Sequence, residues 1–331
     1  MSFLEKAVTD RFEEQGYVVA EGILDPVEDI APIVAEYEEL LDSMAGQWHA
    51  EGRLSSSFAE LPFGERLTQV LAEGMPVFPA FDISLPPLSA DSGEETPIHL
   101  GAAVFNRLLR NPRLLDAVEC FIGPEIYCNP VQHVRIKPPE HLVPEAMRHS
   151  LVASVDWHQD AGVVEADADD TDLLSAWVAI TDATTENSCM VMIPGSHRAD
   201  VALHCLTYDR QGFAGSAQLT IPQEYRGPKE PKPVPMRAGD VLFFHRMTMH
   251  ASLPNVSNGI RWSFDLRYNP LGQHSGRPWF PGFVARSRAH PETELTDPAE
   301  WARLWQDAQA ELAGGGTPAF NRWKDDDPRC A

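Results

Sequence analysis

His158 and Asp160 stand two residues apart in Trp157-His158-Gln159-Asp160. On a β-strand, positions i and i+2 face the same side, so an imidazole and a carboxylate would point together. These are two of the three groups of a 2-His-1-carboxylate iron site, and His250 is the candidate third ligand. Such a triad leaves positions open on Fe(II). One can take O2, and two can take a chelating 2-oxo acid. Eleven residues past His250 comes Arg261, an offset that puts it on the next antiparallel strand near the metal end. A guanidinium there can hold the far carboxylate of 2-oxoglutarate through two N–H bonds, as a lysine could not. Ser252 can add a hydroxyl bond. The chemistry predicted is activation of dioxygen.

The H-x-D pair alone carries little information, because chance supplies it often. Its surroundings add to it. Ala238-Gly239-Asp240 is a turn signal, and Val241 to Phe244 reads as a strand leading towards His250. His245, five residues before His250, is the competing ligand if the register slips, but the offsets to Ser252 and Arg261 fit His250 better.

The elements that must position these groups fall into two kinds. Residues 1 to about 50 read as helical. Leu4, Val8 and Phe12 mark one helix and Pro26 to about Met44 a second, with a short strand over Gly16–Gly22 between them. Residues 51–97 are mixed, with Phe78–Glu95 read as loop that could cover a site. Ala102–Ile122 reads as helix with a break near Asn111-Pro112. From Glu125 the pattern changes to short strands: Ile126–Lys137, Val155–His158, Leu174–Thr181, Cys189–Ile193, Val234–Arg237, Val241–Phe244, His250–Leu253 and Arg261–Tyr268. Strands after a helical preface predict a mainly β, cupin-like jelly roll with helices outside. His158 and Asp160 would start one strand and His250 would lie near the end of another, across the barrel mouth. The organisation expected is one domain over 1–331: a mostly helical part over 1–124, a jelly-roll core over 125–270 with an insertion at 198–233, and a C-terminal extension over 271–331. The insertion is expected to be a lid or oligomer contact. A last helix is expected over Pro298–Leu312, followed by a loosely held tail from Gly314.

A chain of 331 residues can bury a core without disulfides. Its formal net charge of -23 disfavours nucleic acid and anionic membrane surfaces as partners. A coenzyme A thioester would need a basic patch that the sequence does not display. The five cysteines, Cys120, Cys128, Cys189, Cys205 and Cys330, are odd in number and form no C-x-x-C pair. Free thiols in a reducing compartment are expected. The N-terminus lacks signal-peptide character, and no apolar run could span a bilayer, so a cytoplasmic protein is expected. The oligomeric state is left open.

From Trp157-His158-Gln159-Asp160 through Trp177-Val-Ala-Ile-Thr-Asp to Ile193-Pro-Gly-Ser-His197, the chain resembles the phytanoyl-CoA dioxygenase family, best over residues 99–270. That family comprises Fe(II)/2-oxoglutarate-dependent oxygenases on a double-stranded β-helix. The resemblance implies His158, Asp160 and His250 on iron, Arg261 and Ser252 on the far carboxylate of 2-oxoglutarate, and Trp177 beside it. Lys137-Pro138-Pro139 matches the family's K-x-P strand end, and the cosubstrate-lining position four before that lysine is His133 here. A family lysine before the first core helix is replaced by His99, and an Asn-Gly-Cys turn by Asn187-Ser188-Cys189. Related halogenases lose the carboxylate ligand, so Asp160 argues for hydroxylation or another oxidation rather than chlorination.

Gln132 and Arg135 are candidate substrate contacts on the strand bordering the site, with surface solvation or a structural ion pair the competing role. The acidic run Glu165, Asp167, Asp169, Asp170 and Asp172 lacks the pattern of a calcium loop and reads as solvated. The function expected is hydroxylation of a small organic molecule with succinate and CO2 as coproducts, O2 and 2-oxoglutarate as cosubstrates and ascorbate as support. A non-catalytic metal-binding or sensing protein on the same fold, or a zinc hydrolase in the same barrel, is the alternative. Loss of His158 or Asp160 is expected to abolish turnover and leave the fold intact.

Overall fold

One strand organises the molecule. In β11 (Arg261–Pro270), Trp262, Phe264, Leu266 and Tyr268 are buried in the main apolar core, and Arg261, Ser263, Asp265 and Arg267 alternate with them. Period-2 alternation sends the two sets to opposite faces. The structure is a computed structural model and describes residues 3–85, 97–148, 152–211, 217–315, 322–323 and 327–330.

β11 pairs antiparallel with β4 (Leu174–Ala179) along one edge. Along the other it pairs with β3 (His133–Lys137) and then β2 (Glu125–Cys128). β9 (Val241–His245) and β1 (Tyr17–Ala20) extend the sheet beyond β4, and β12 (Phe283–Ser287) extends it beyond β2. A smaller sheet has the order β10 (His250–Ser252), β5 (Met190–Met192), β8 (Lys232–Val234). The polar face of β11 looks into the space between the two sheets. This is a jelly roll.

The apolar face of β11 is covered by helices. Tyr37 of α2 (Ala31–Ala50) and Phe63 of α3 (Phe63–Ala72) each place a ring centroid 5.0 Å from Trp262. Burial of such large aromatics on the outside locks the strand's register, because a slip of one residue would exchange its faces. α1 (Lys6–Gln15) ends at Gly16, whose left-handed φ of 81° lets its N–H reach Phe12 O.

Several elements differ from the sequence-based expectation. The helix expected from Pro26 starts as a π-helical turn, Pro26–Ile30, and runs on to Ala50. α3 and the short α4 (Phe78–Phe81) lie in the segment expected to be mixed or loop. The remainder of that expected loop, 86–96, falls outside the described residues. Ala102–Ile122 divides at Asn111, whose side chain caps α5 (Pro112–Ile122) by accepting from the N–H groups of Arg113 and Leu114. The strand expected over Ile126–Lys137 is two strands, broken at Asn129-Pro130. Val155–His158 makes only a bridge, His158 to His250. The 198–233 insertion contains a hairpin, β6 (Cys205–Gln211) with β7 (Ala217–Thr220). β12 was not expected at all. The last helix, α6, spans Pro298–Gly315 and buries Trp301 and Trp305.

Two expectations about the cysteines and the tail are overturned. Cys205 and Cys330 form a disulfide across a sequence separation of 125 residues, and Cys120, Cys128 and Cys189 are not disulfide-bonded. Spacing alone could not pair cysteines so far apart. The tail is not loosely held at Arg322, Trp323 and Cys330, which are anchored by hydrogen bonds and the disulfide. Among the described residues, no helix is long and apolar enough to cross a membrane.

Candidate metal and cosubstrate site

The space between the sheets is a narrow cavity, partly open to solvent, lined by side chains of β3, β4, β10 and β11. At one end His158, Asp160 and His250 each offer a ligand atom, all within 4.8 Å of one another. The two histidines are set by the bridge, in which each backbone N–H donates to the other's carbonyl at 2.9 Å. Asp160 is not on a strand, as expected, but opens a 3-10 turn, Asp160–Gly162. Gln159 before it is extended, at φ -116° and ψ 141°, and this still brings Asp160 to the histidines.

The donor set fits a divalent metal. His158 Nδ1 lies 2.8 Å from Asp156 O, and His250 Nδ1 2.9 Å from Thr248 O. A carbonyl only accepts, so each Nδ1 carries the proton and each Nε2 is left with its lone pair. Both Nε2 atoms lie 3.9 Å from Asp160 Oδ1. Burial holds the imidazoles below the ordinary histidine range. Asp160 is pushed the other way. Burial would raise its pKa, but Arg267 and the two histidines outweigh that and hold it far below the usual carboxylate range. Two neutral imidazoles and a carboxylate are the forms that bind metal.

Arg267 grips Asp160 with both arms, Nε to Oδ2 at 3.0 Å and Nη2 to Oδ1 at 2.5 Å, and Ser175 donates to Oδ2. These partners aim the carboxylate. A second ion pair, Arg135 with Asp265 at 2.9 Å, lies further along the cavity. Asp265 Oδ1 is buried without a donor.

The far end holds two more cations and no acid against either. Arg261 donates to Ser188 O, Ser188 Oγ and Ser263 Oγ, and its guanidinium carbon sits 5.1 Å from the Trp177 ring centroid. Lys137, its cross-strand partner, is 1% exposed and donates to Ala153 O at 2.5 Å and Ser252 Oγ at 2.8 Å. Burial, then the charges of Arg261 and Arg135, push the Lys137 ammonium well below its ordinary pKa, and burial brings Arg261 to about 10. Ser252 Oγ also accepts from Val155 N at 2.9 Å. With both lone pairs engaged, its hydroxyl proton is left to donate into the cavity.

The structure thus brings His158, Asp160, His250, Ser252, Trp177, Arg261 and Arg135 to one cavity. It takes three expected residues elsewhere. His99 Nε2 donates to Glu36 Oε1 at 2.8 Å and packs on Tyr37, beneath the helices. His133 is drawn off by Asp82, which holds its Nδ1 at 3.0 Å. Gln132 is buried against its own turn, on Cys128 Sγ and Asn129 O. His245, the competing ligand, packs beside His197. Sequence reasoning put Lys137 on the strand bordering the site without giving it a role there, and missed Ser175, Asp265 and Arg267 as cavity residues. The alternation of β11 was the available signal, because it assigns 261, 263, 265 and 267 to one face.

Comparison with known proteins bears on this geometry. The family model described as Phytanoyl-CoA dioxygenase (PhyH) matches residues 12–263. The 1-deoxypentalenic acid 11-beta-hydroxylase of Streptomyces arenae is 25% identical over 283 residues, covering 83% of this chain and 86% of that protein. The peroxisomal phytanoyl-CoA dioxygenase of Homo sapiens is 29% identical over 163 residues, 49% of this chain and 45% of that protein. The chain therefore spans less than half of the human relative. An apo non-heme monooxygenase, ThoJ, superposes with a TM-score of 0.53 at 20% identity, over 93% of this chain and 100% of that one, a likeness of fold.

Proposed function

The chain belongs to the phytanoyl-CoA dioxygenase family of iron- and 2-oxoglutarate-dependent oxygenases, and we propose that it hydroxylates a small organic molecule in the cavity between its two sheets. His158, Asp160 and His250 hold Fe(II). Arg261, Lys137 and Ser252 seat the far carboxylate of 2-oxoglutarate, with Trp177 beside it. With iron bound, O2 converts 2-oxoglutarate to succinate and CO2, and one oxygen atom passes to the substrate.

The observation that carries this reading is the charge pattern of the cavity. Arg267 is matched by Asp160 and Arg135 by Asp265, whereas Arg261 and Lys137 donate to neutral oxygens. Two adjacent cations buried without an acid are costly unless an anion joins them. A carboxylate of the cosubstrate supplies that anion. A sensing protein with a metal alone would have no use for them, and neither would a zinc hydrolase.

Two features support a small substrate. The net charge of -23 opposes a polyanion. The relative matched over most of its length, in Streptomyces arenae, is named for hydroxylation of a small acid. Asp265 Oδ1 is the acceptor available to a hydroxyl or amine of the substrate. The cytoplasmic setting expected from the sequence belongs to the same reading, but the Cys205–Cys330 disulfide removes the cysteine argument for it.

The test is succinate release from 2-oxoglutarate with Fe(II) and ascorbate over a panel of small acids and terpenoid-like compounds, alongside calorimetric binding of 2-oxoglutarate to Lys137→Met. Succinate formation and weakened cosubstrate binding in the variant are expected. Zinc binding with no succinate from any compound, and wild-type 2-oxoglutarate affinity in the variant, would reject the proposal.

A further inference from the structure

The turn that carries Asp160 exposes its carbonyls on the side away from the cavity, and the C-terminal tail occupies that side. Arg322 donates to Ala161 O at 2.7 Å and to Val164 O at 2.8 Å, and pairs with Asp169 at 2.7 Å. Trp323 Nε1 donates to Gly162 O at 2.7 Å, and its ring stacks on His204 with centroids 5.0 Å apart. His204 in turn accepts the N–H of Gln159, the residue between the two ligands, at 2.9 Å. His204 and Trp323 thus form a layer beneath the ligand turn. A Cβ at Gly162 would collide with the His204 ring, so the turn is fitted closely to this layer. The next residue, Cys205, is bonded to Cys330. The tail is fastened to β6 at its first residue, directly after the His204 that supplies the layer.

We infer that Arg322 and Trp323, fastened by the Cys205–Cys330 disulfide, are positioning residues that hold the Asp160 turn in its metal-binding geometry. Arg322 and Trp323 lie outside residues 12–263, which the family model matches. This strap acts through the backbone. Four donor bonds from two side chains hold the outer side of this segment, which otherwise has the short-range bonds Gly162 N to Gln159 O and Val163 N to Asp160 O and the long-range bonds Ala161 N to Arg246 O, Glu165 N to Gly276 O and Arg277 to Val163 O. Removing them leaves the turn held by Ala161 N on Arg246 O and by the grip of Arg267 and Ser175 on Asp160, so it loosens and Asp160 shifts relative to the two histidines, which the β-bridge holds independently. Second-layer partners of metal ligands typically change affinity by about 10- to 100-fold.

The disulfide makes the strap responsive to thiols. A dithiol reductant transfers two electrons and two protons, the S–S bond breaks to give the Cys205 and Cys330 thiols, and the reductant closes to a cyclic disulfide. The tail is then held only by its hydrogen bonds, the Arg322–Asp169 ion pair and the stacking of Trp323 on His204.

The inference rests on the metal assignment above, so the experiment separates the two. Hydrogen exchange of the metal-free full chain is followed over residues 160–165, with and without dithiothreitol, and Ni(II) affinity is titrated on the same samples. Trp323→Phe keeps the ring and removes the N–H, Arg322→Ala removes the clamp, and the reduced wild type keeps every residue. Faster exchange confined to this turn, a rise of about tenfold in the Ni(II) dissociation constant for Arg322→Ala, and a smaller rise for Trp323→Phe and for reduction are expected. Cys330→Ser should match the reduced wild type and ignore dithiothreitol. Unchanged exchange and Ni(II) affinity in fully reduced protein and in Trp323→Phe would overturn the strap. A general loss of thermal stability with exchange raised everywhere would overturn it too, as it would show a structural role only. If the wild type binds no Ni(II), the metal assignment falls and the exchange pattern alone decides the strap.

Discussion

The two ends of the cavity are built on opposite electrostatic plans. At the metal end every charge has its partner: Asp160 lies in the fork of Arg267, and each histidine is oriented by a backbone carbonyl. At the far end Arg261 and Lys137 sit side by side on paired strands, and serine hydroxyls and backbone carbonyls take their protons. The first end is complete before anything binds. The second is stable only because neutral groups share the load, and it gains most when an anion arrives. A metal site benefits from preorganisation, since a loose ligand loses affinity. A cosubstrate site must release its product, so part of its charge is best left for the ligand to satisfy.

The largest expected effect strikes the paired end. Asp160→Ala removes a ligand and also strands Arg267 in the interior. Turnover should vanish, and unfolding should be easier by about 3–5 kcal/mol, the usual penalty for breaking a buried ion pair. His158→Ala should also abolish turnover but leave stability near wild type. The sequence alone led to the expectation that the fold survives either loss; the ion pair with Arg267 makes the two losses unequal. Chemical denaturation of the two variants side by side checks this, and equal midpoints would break the contrast between matched and unmatched ends.

Next comes the unpaired end. Arg261→Ala should raise the 2-oxoglutarate dissociation constant by about 100-fold, in line with loss of a charge-assisted, buried contact worth roughly 2–5 kcal/mol. Fold stability should hardly fall, because no acid is left behind. A large stability loss without a change in affinity would show that the two ends do not differ.

Lys137 gives a finer distinction. Its pKa is depressed in the free protein, and a bound carboxylate would raise it again. Binding then takes up a proton between the free and bound values, so cosubstrate affinity should weaken as pH rises through that window. Calorimetry in buffers of different ionisation enthalpy reads this uptake. It should disappear in Lys137→Met, where affinity falls about tenfold by the loss of one charge contact of roughly 1.4 kcal/mol.

The smallest effect concerns His204, which burial lowers to about 4. The unfolded chain binds that proton near pH 6.5 and the folded one does not. Between these values the unfolded state carries more protons, so stability falls as pH is lowered through the window. Proton titration of the His204 ring by NMR checks the value, and a midpoint near 6.5 would show that the layer under Asp160 is open to water.

How much of this could be read from the chain depends on the range of each interaction. The triad was legible, because His158 and Asp160 are neighbours and His250, Ser252 and Arg261 follow at offsets that local strand geometry fixes. Lys137 was visible as a motif but not as a cavity cation, since its role depends on pairing across strands. Arg267 gave a periodic signal that went unused. His99 and His133 went elsewhere because Glu36 and Asp82, far away in sequence, claim them. Nothing local in the tail announces the disulfide or the hold of Arg322 on the ligand turn.

β11 carries one further consequence. Its odd positions line the reaction chamber and its even positions are the centre of the apolar core. A single-residue insertion or deletion within it would put Trp262 among the ligands and Arg261 under the helices, so misfolding and loss of activity would be the same event. Evolution can therefore edit this strand by substitution but hardly by length. New substrate preferences have to be written in the connecting segments, where a change in length leaves that alternation untouched.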